Sequence, residues 1–316
     1  MTRTYNLLCL SEAVSPITHM KGVSGNEALV MREPVVTGHG IAWVPTLSGN
    51  ALRHRLIREP GARWLIDRWG LRGALTLPQL NYLFHGGNLT EGGGRESTRQ
   101  IADMQRLFPL TRLLGGSLPS QILSGSLLVW RGALVCEENR GALASALPEG
   151  WEVPAAALRP AEAFVSPYQY TRGDAAKTTA DLLPTANGNG VDRGANHDGS
   201  SNLMIFGGQS VTRGACFLHG FTLQHVGPLE LGALLWSLRL WQQSGGTVGG
   251  QGARGHGRLQ TLIHLDTDEE QDALCAAYVA YCDEVKAEAV VWLNEAFAAR
   301  PAKEDKPKRK KAEASA

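Results

Sequence analysis

Gly245-Gly-Thr-Val-Gly-Gly-Gln-Gly-Ala-Arg-Gly-His-Gly-Arg258 places seven glycines within fourteen residues, with Arg254, His256 and Arg258 set between them. A helix-like apolar run, Leu229–Gln243, stops just before it, and a strand-like run, Leu259–Leu265, follows at once. Glycine admits positive φ and close approach of another backbone. Exposed amides beside guanidinium groups form an anion-binding concavity, and phosphate is the obvious anion. The spacing is not Gly-x-x-x-x-Gly-Lys-Ser/Thr. The Gly245–Gly250 spacing follows a helix and opens a strand, the reverse of the dinucleotide-binding context. A polyanion held along its backbone fits better, and the competing reading is a flexible surface hairpin.

Working outward, the 316 residues are 43% hydrophobic, enough to bury one large core or two medium ones. Net charge is +1, and 23 of the 31 Lys and Arg residues are arginine. Arginine's planar fork suits phosphate and stacking, although GC-rich coding also raises Arg, Gly and Ala together. Residues 303–316 carry six positive and three negative groups, which leaves the rest of the chain near −2. Any nucleic-acid surface must therefore be a local patch. Cys9, Cys136, Cys216, Cys275 and Cys282 lack Cys-x-x-Cys spacing and read as reduced core thiols of a cytoplasmic protein. The nine histidines lack zinc spacing, so no metal and no cofactor is expected. The start of the chain does not read as a signal peptide, and no apolar run reaches membrane length.

In chain order, Thr4–Leu10 reads as a strand and Ser11–Gly40 as a turn-rich segment without a period. Thr46–Ile57 opens a helix with Thr46 or Ser48 as N-cap, Leu52 and Leu56 on its apolar face, and Arg53, Arg55 and Arg58 off that face. Such a helix start is a second candidate anion site; a solvated basic face is the alternative. Residues 60–116 read as a helical insertion, and 122–135 as a strand pair bent at Ser124-Gly125-Ser126. Residues 165–210 read as a long hairpin with a polar, Asn- and Gly-rich tip. Its flanks carry Tyr168, Tyr170, Arg172 and Lys177, the aromatic and cationic mix used on single-stranded nucleic acid. A strand at 214–223 and a long helix at 269–299 complete the pattern, and 301–316 reads as a disordered charged tail.

Two motifs and this order of elements resemble the RAMP superfamily of CRISPR-associated proteins, and more closely its backbone subunit, the seventh Cas family. Pro45-Thr-Leu-Ser-Gly-Asn-Ala-Leu-Arg53 is similar to that family's Pro-Gly-Ser-Ser-Leu-Lys-Gly helix start. Gly249–Arg258 is similar to its Gly-Gly…Arg-Gly-Tyr-Gly-Arg loop, and is the more specific match. The likeness spans most of 1–265. Asn50, where a lysine is usual, and the 60–116 insertion mark a divergent branch. Type IV effector backbones fit best, ahead of types III and I-D.

The resemblance implies an α+β fold. Its palm would be a modified RNA-recognition, ferredoxin-like domain (1–59 and 117–300), with helical fingers (60–116) and a thumb hairpin near 165–210. It implies a subunit that polymerises head-to-tail along guide RNA and presents the spacer to a target, DNA rather than RNA. Other effector subunits, and a helicase, would be its partners. The RNA-binding set would be Ser48, Asn50, Arg53, Arg55, Tyr168, Tyr170, Arg172, Lys177, Gly249, Gly250, Gln251, Arg254, His256 and Arg258, with Lys21, Arg32 and Arg213 as further contacts. Alternating Phe/Tyr of the RNA-recognition signature is absent, so backbone clamping is expected over base stacking on the sheet. Type III backbones cut target RNA with an aspartate whose place here falls on Arg32, beside Glu33. An arginine stays protonated and cannot serve as a base, so no catalytic residue is expected. A stand-alone hydrolase and an RNA-independent structural protein are the rival readings.

Overall fold

A computed structural model describes residues 2–24, 27–88, 98–118, 121–172 and 204–298. The tail 301–316, Lys177 and the hairpin tip lie outside these residues. Strand β1 (Arg3–Ala13) comes first, followed by β2 (Met20–Ser24), β3 (Glu27–Val30), β4 (Arg32–Thr37) and β5 (Gly40–Leu47). The chain then runs through α1 (Gly49–Leu52), a π-helical turn (Arg53–Arg58) and α2 (Glu59–Trp69) without a break. Helices α3 (Leu77–His85), α4 (Thr98–Leu107) and α5 (Pro109–Leu114) lead to β6 (Gly116–Leu118), β7 (Gln121–Leu123) and β8 (Leu127–Leu134). After α6 (Arg140–Ala144) come β9 (Val165–Arg172), β10 (Met204–Val211), β11 (Cys216–Val226), α7 (Pro228–Gln243), β12 (Leu259–Leu265) and α8 (Gln271–Ala296).

The fold is α+β. The main sheet has the order β12-β1-β11-β8-β5-β4. Its first four strands, joined as β1–helix–β8–β11–α7–β12, form the antiparallel βαββαβ arrangement of a ferredoxin-like domain. Alternation decides which face is covered. Tyr5, Leu7 and Cys9 of β1 and Phe217, Phe221 and Leu223 of β11 are buried in one cluster with Leu231, Leu234, Leu238 and Trp241 of α7. Leu8 and Leu218 point the other way, onto Leu143, Leu147 and Val153.

A second core joins the helical segment to the C-terminal helix. Trp69, Tyr82, Met104 and Phe108 pack with Tyr278 and Trp292 of α8. Tyr82 meets Phe108 edge-on with centroids 5.7 Å apart, and Phe108 meets Trp292 at 5.4 Å. Arg68 grips Asp283 at 2.6 Å, and Arg106 pairs with Glu288. The 60–116 helices are therefore built onto α7 and α8 as one layer.

Four sequence expectations change. Ser11–Gly40 is not irregular: it holds the last three residues of β1, all of β2, β3 and β4, and the first residue of β5. Strands β2, β3 and β4 are short, no residue of β4 is buried, and the outward positions of β3 and β4 include Leu29 and Val36, so the sequence carries little apolar alternation. The segment from 122 to 135 does contain two strands, but β7 pairs with β6, and β8 pairs with β11 and β5. Ser48, not Thr46, caps the helix; Thr46 lies in β5 and donates to Gly132 O. Arg58 is buried at 6% exposure rather than solvated. The i→i+5 turn inserts extra residue spacing into the helix and rotates Arg58 off the outer face.

Candidate nucleic-acid interface

The helix start is anchored from two sides. Ser48 Oγ accepts from Ala51 N at 3.2 Å, as an N-cap does. Ser48 N donates to His19 Nε2 at 3.0 Å, and burial lowers the His19 pKa, which favours the neutral acceptor. Asn50 is exposed and Arg53 half-buried. Arg55 pairs with Glu59 and reaches Thr247 Oγ1 of the glycine loop at 3.5 Å.

The loop itself is stitched to the segment between β1 and β2. Gly250 N donates to Thr18 O and Gly257 N to Pro16 O, both at 2.8 Å. Arg258 N donates to Ser15 Oγ at 2.9 Å, and Thr18 Oγ1 lies 2.7 Å from His256 Nδ1. Val248 N donates to Gly257 O, and Trp241 Nε1 to Thr247 O. Gly249 sits at φ +75°, and a Cβ there would fall 2.3 Å from Thr18 O. Only glycine fits this crossing. The loop is thus a hydrogen-bonded element, and the expected row of free amides is not what it offers. The amides of Gly246, Val248, Gly250, Arg254, Gly255, His256 and Gly257 already bond backbone carbonyls. Arg254 and Arg258 are exposed, so the charge is presented by side chains.

The hairpin flanks meet the loop. β9 pairs antiparallel with β10, in a second sheet of order β2-β3-β10-β9. Tyr168 and Tyr170 are two residues apart on β9 and share a face; Phe206 is the cross-strand partner of Tyr170. Phe206 and Tyr170 stack at 5.4 Å, Tyr170 and Tyr168 at 6.4 Å, and Tyr168 meets His256 edge-on at 5.3 Å. Arg254 lies over the Tyr170 ring, its guanidinium carbon 3.8 Å from the centroid. Burial, and secondarily the Arg254 charge, lowers the His256 pKa. Half-buried rings beside exposed guanidiniums can stack bases and pair phosphates at once.

Ser48, Arg55, Tyr168, Tyr170, Gly249, Gly250, Gln251, Arg254, His256 and Arg258 therefore belong to one connected assembly. Gln251 contributes a left-handed residue, φ 62°, and a side-chain bond to Arg254. Arg172 ends β9 at its pairing with Met204. Arg32 stands apart: Glu162 holds it through both carboxylate oxygens. Glu33 pairs with Arg131 at 3.3 Å. Lys21 on β2 and Arg213 before β11 are exposed. Sequence reasoning missed Thr18, His19 and Thr247 as contacts. Thr18 and His19 sit in a segment without periodicity, and nothing local marks them as the bridge.

No protein-family model matches the sequence, and neither does any curated protein. Among solved structures, the chain is similar to one described as "Type IV-B CRISPR Complex". The two share 16% identity, with 84% of this chain and 92% of that chain covered and a TM-score of 0.49. Among the described residues, no helix is long and apolar enough to cross a membrane, and no three His, Cys, Asp or Glu side chains gather as a metal site. All five cysteines are free and buried.

Proposed function

We propose that this chain is the backbone subunit of a CRISPR ribonucleoprotein effector, of the type IV kind, which polymerises along guide RNA and grips its phosphates. The observation that carries this reading is the convergence of the two resembling motifs on Thr18 and His19, with the aromatic row of β9 and β10 beside them. Arg254 and Arg258 pair with phosphates, Arg55 supports the loop through Thr247, and Tyr168 and Tyr170 offer ring faces to bases. Neither kind of contact reads base edges, which suits a protein that must accept any spacer. Sequence reading falls to base pairing with a target, DNA in this proposal, as in other RNA-guided effectors. The hairpin reaches the neighbouring copy in a head-to-tail contact. The subunit has no nuclease role: Arg32, at the type III aspartate's place, is held by Glu162.

The test is co-expression with a guide transcript. Protein purified in its assembled form should carry the guide as long ribonucleoprotein filaments and leave complementary RNA intact in the presence of divalent metal. A monomer free of nucleic acid would sink the backbone assignment. Regularly spaced cuts abolished by Glu33→Ala would move the chain to the cleaving, type III class.

A further inference from the structure

A second cationic feature lies where the π-helical turn faces the end of α3. Asn50, Arg53, His54, Arg58, Phe84 and His85 line a cavity of about 200 Å³. None of the six is acidic. Arg58 is 94% buried, taken from its 6% exposure, and donates to Gly115 O at 2.9 Å. No carboxylate pairs with it among the described residues. Arg53 adds a buried Nε that has no hydrogen-bond partner. The His54 and His85 rings stack on each other at the cavity wall, centroids 5.6 Å apart at 12°. The nearby carboxylate of Glu59 is engaged by Arg55 and Arg63, and stands 4.0 Å from His54 Nε2.

This arrangement is costly as it stands. A buried cation without a counter-charge is unfavourable, and two neighbouring guanidiniums repel. Burial and the Arg53 charge push the Arg58 pKa down to about 10, so it remains protonated at neutral pH. The fold nevertheless holds Arg58 in place. Gly86, at φ +86°, ends α3 against it, and a Cβ there would lie 2.8 Å from Arg58 Nη1. π-turns inside helices concentrate at functional sites. Arginine forks, an amide and imidazole N–H groups are donors suited to one tetrahedral oxoanion.

We infer that the cavity between the π-turn and the end of α3 is a binding pocket for a single phosphate group, with Arg53, Arg58 and His85 as its principal donors. It shares Asn50 and Arg53 with the proposed RNA path, and only the carrier of the phosphate rests on that reading. The group comes either from an RNA strand or from free phosphate.

The experiment uses the full chain, stripped of nucleic acid, and follows the histidine ring resonances by NMR as inorganic phosphate is added at constant ionic strength. Saturable shifts of His54 and His85 that chloride does not reproduce are expected. Arg53→Ala and His85→Ala, each with an unchanged melting temperature, should weaken phosphate binding at least tenfold. Arg254→Ala should leave it unaltered. Displacement of phosphate by a short 5′-hydroxyl RNA identifies an internal phosphodiester as the carrier; displacement by the 5′-phosphorylated strand alone identifies a terminal phosphate. If phosphate binds and no RNA displaces it, the pocket stands and takes free phosphate. Shifts that do not saturate, or that persist unchanged in both variants, would overturn the pocket even where RNA binding is intact.

Discussion

The guanidinium carbon of Arg254 lies 3.8 Å from the centre of the Tyr170 ring, so the glycine loop and strand β9 meet through one cation–π contact. Tyr170 also stacks with Phe206 and Tyr168. Removing the ring unseats Arg254 and deletes a stacking face together. Tyr170→Ala should weaken single-stranded RNA binding by about 1–3 kcal/mol, roughly the cost of one lost base stack. Tyr170→Phe keeps the ring and should bind nearly as well as wild type. Fluorescence anisotropy with a labelled RNA distinguishes the two; equal affinity for Tyr170→Ala and wild type would remove the aromatic row from the interface.

Gly249→Ala tests the seam between the loop and the segment after β1. The added methyl would collide with Thr18 O at 2.3 Å, at a φ of +75° that L residues rarely adopt. The Thr18–Gly250 bridge should open, and with it the placement of His256 and Arg254. Stability should fall by about 1–3 kcal/mol, the scale of one strained backbone site, and RNA affinity should fall with it. Gly252→Ala meets nothing within 4 Å and serves as the control, expected to be neutral in both measurements.

His219 sets an acid limit on stability. It is fully buried, accepts or donates one bond to Ser11 Oγ at 2.8 Å, and leaves Nδ1 without a partner. Burial lowers its pKa to about 4. The unfolded chain takes up the proton near pH 6.5, whereas the folded chain does so only near 4. This contribution is complete above pH 6.5 and is lost as pH falls towards 4. It amounts to about 3 kcal/mol, at ~1.4 kcal/mol per pKa unit. Urea denaturation across this range should show a fall in stability that His219→Gln flattens. An equal fall in the variant would assign the acid sensitivity elsewhere.

The parts legible in the sequence were those where one residue type answers one local demand. The apolar spacing of Leu231, Leu234, Leu238 and Trp241 marked α7, and Gly249–Arg258 marked the loop. Ser48 was readable as a cap from its place before an apolar run. What escaped depends on long-range partners. Thr18 and His19 matter because Gly250, His256 and Ser48 come to them from 29 to 238 residues away. A uniform helical period puts Arg58 off the apolar face, and the π-turn breaks that period. The loop's amides looked available because local sequence does not reveal that Pro16 and Thr18 carbonyls accept from them. Tyr168 and Tyr170 stand out in the sequence as hairpin aromatics, but their alignment with Phe206 into one row depends on cross-strand pairing, which local sequence does not show.

Whether exposed side chains of the glycine loop hold RNA by its backbone is tested most directly by RNA affinity as a function of salt for wild type and for the Arg254→Ala/Arg258→Ala double variant, on several unrelated sequences. Each phosphate contact adds about 0.9 to the slope of log affinity against log salt for duplex DNA and about 0.7 for single strands. The double variant should bind every RNA more weakly by a similar factor, with the slope reduced by about one to two. Wild-type affinity and wild-type slope on every RNA would contradict it.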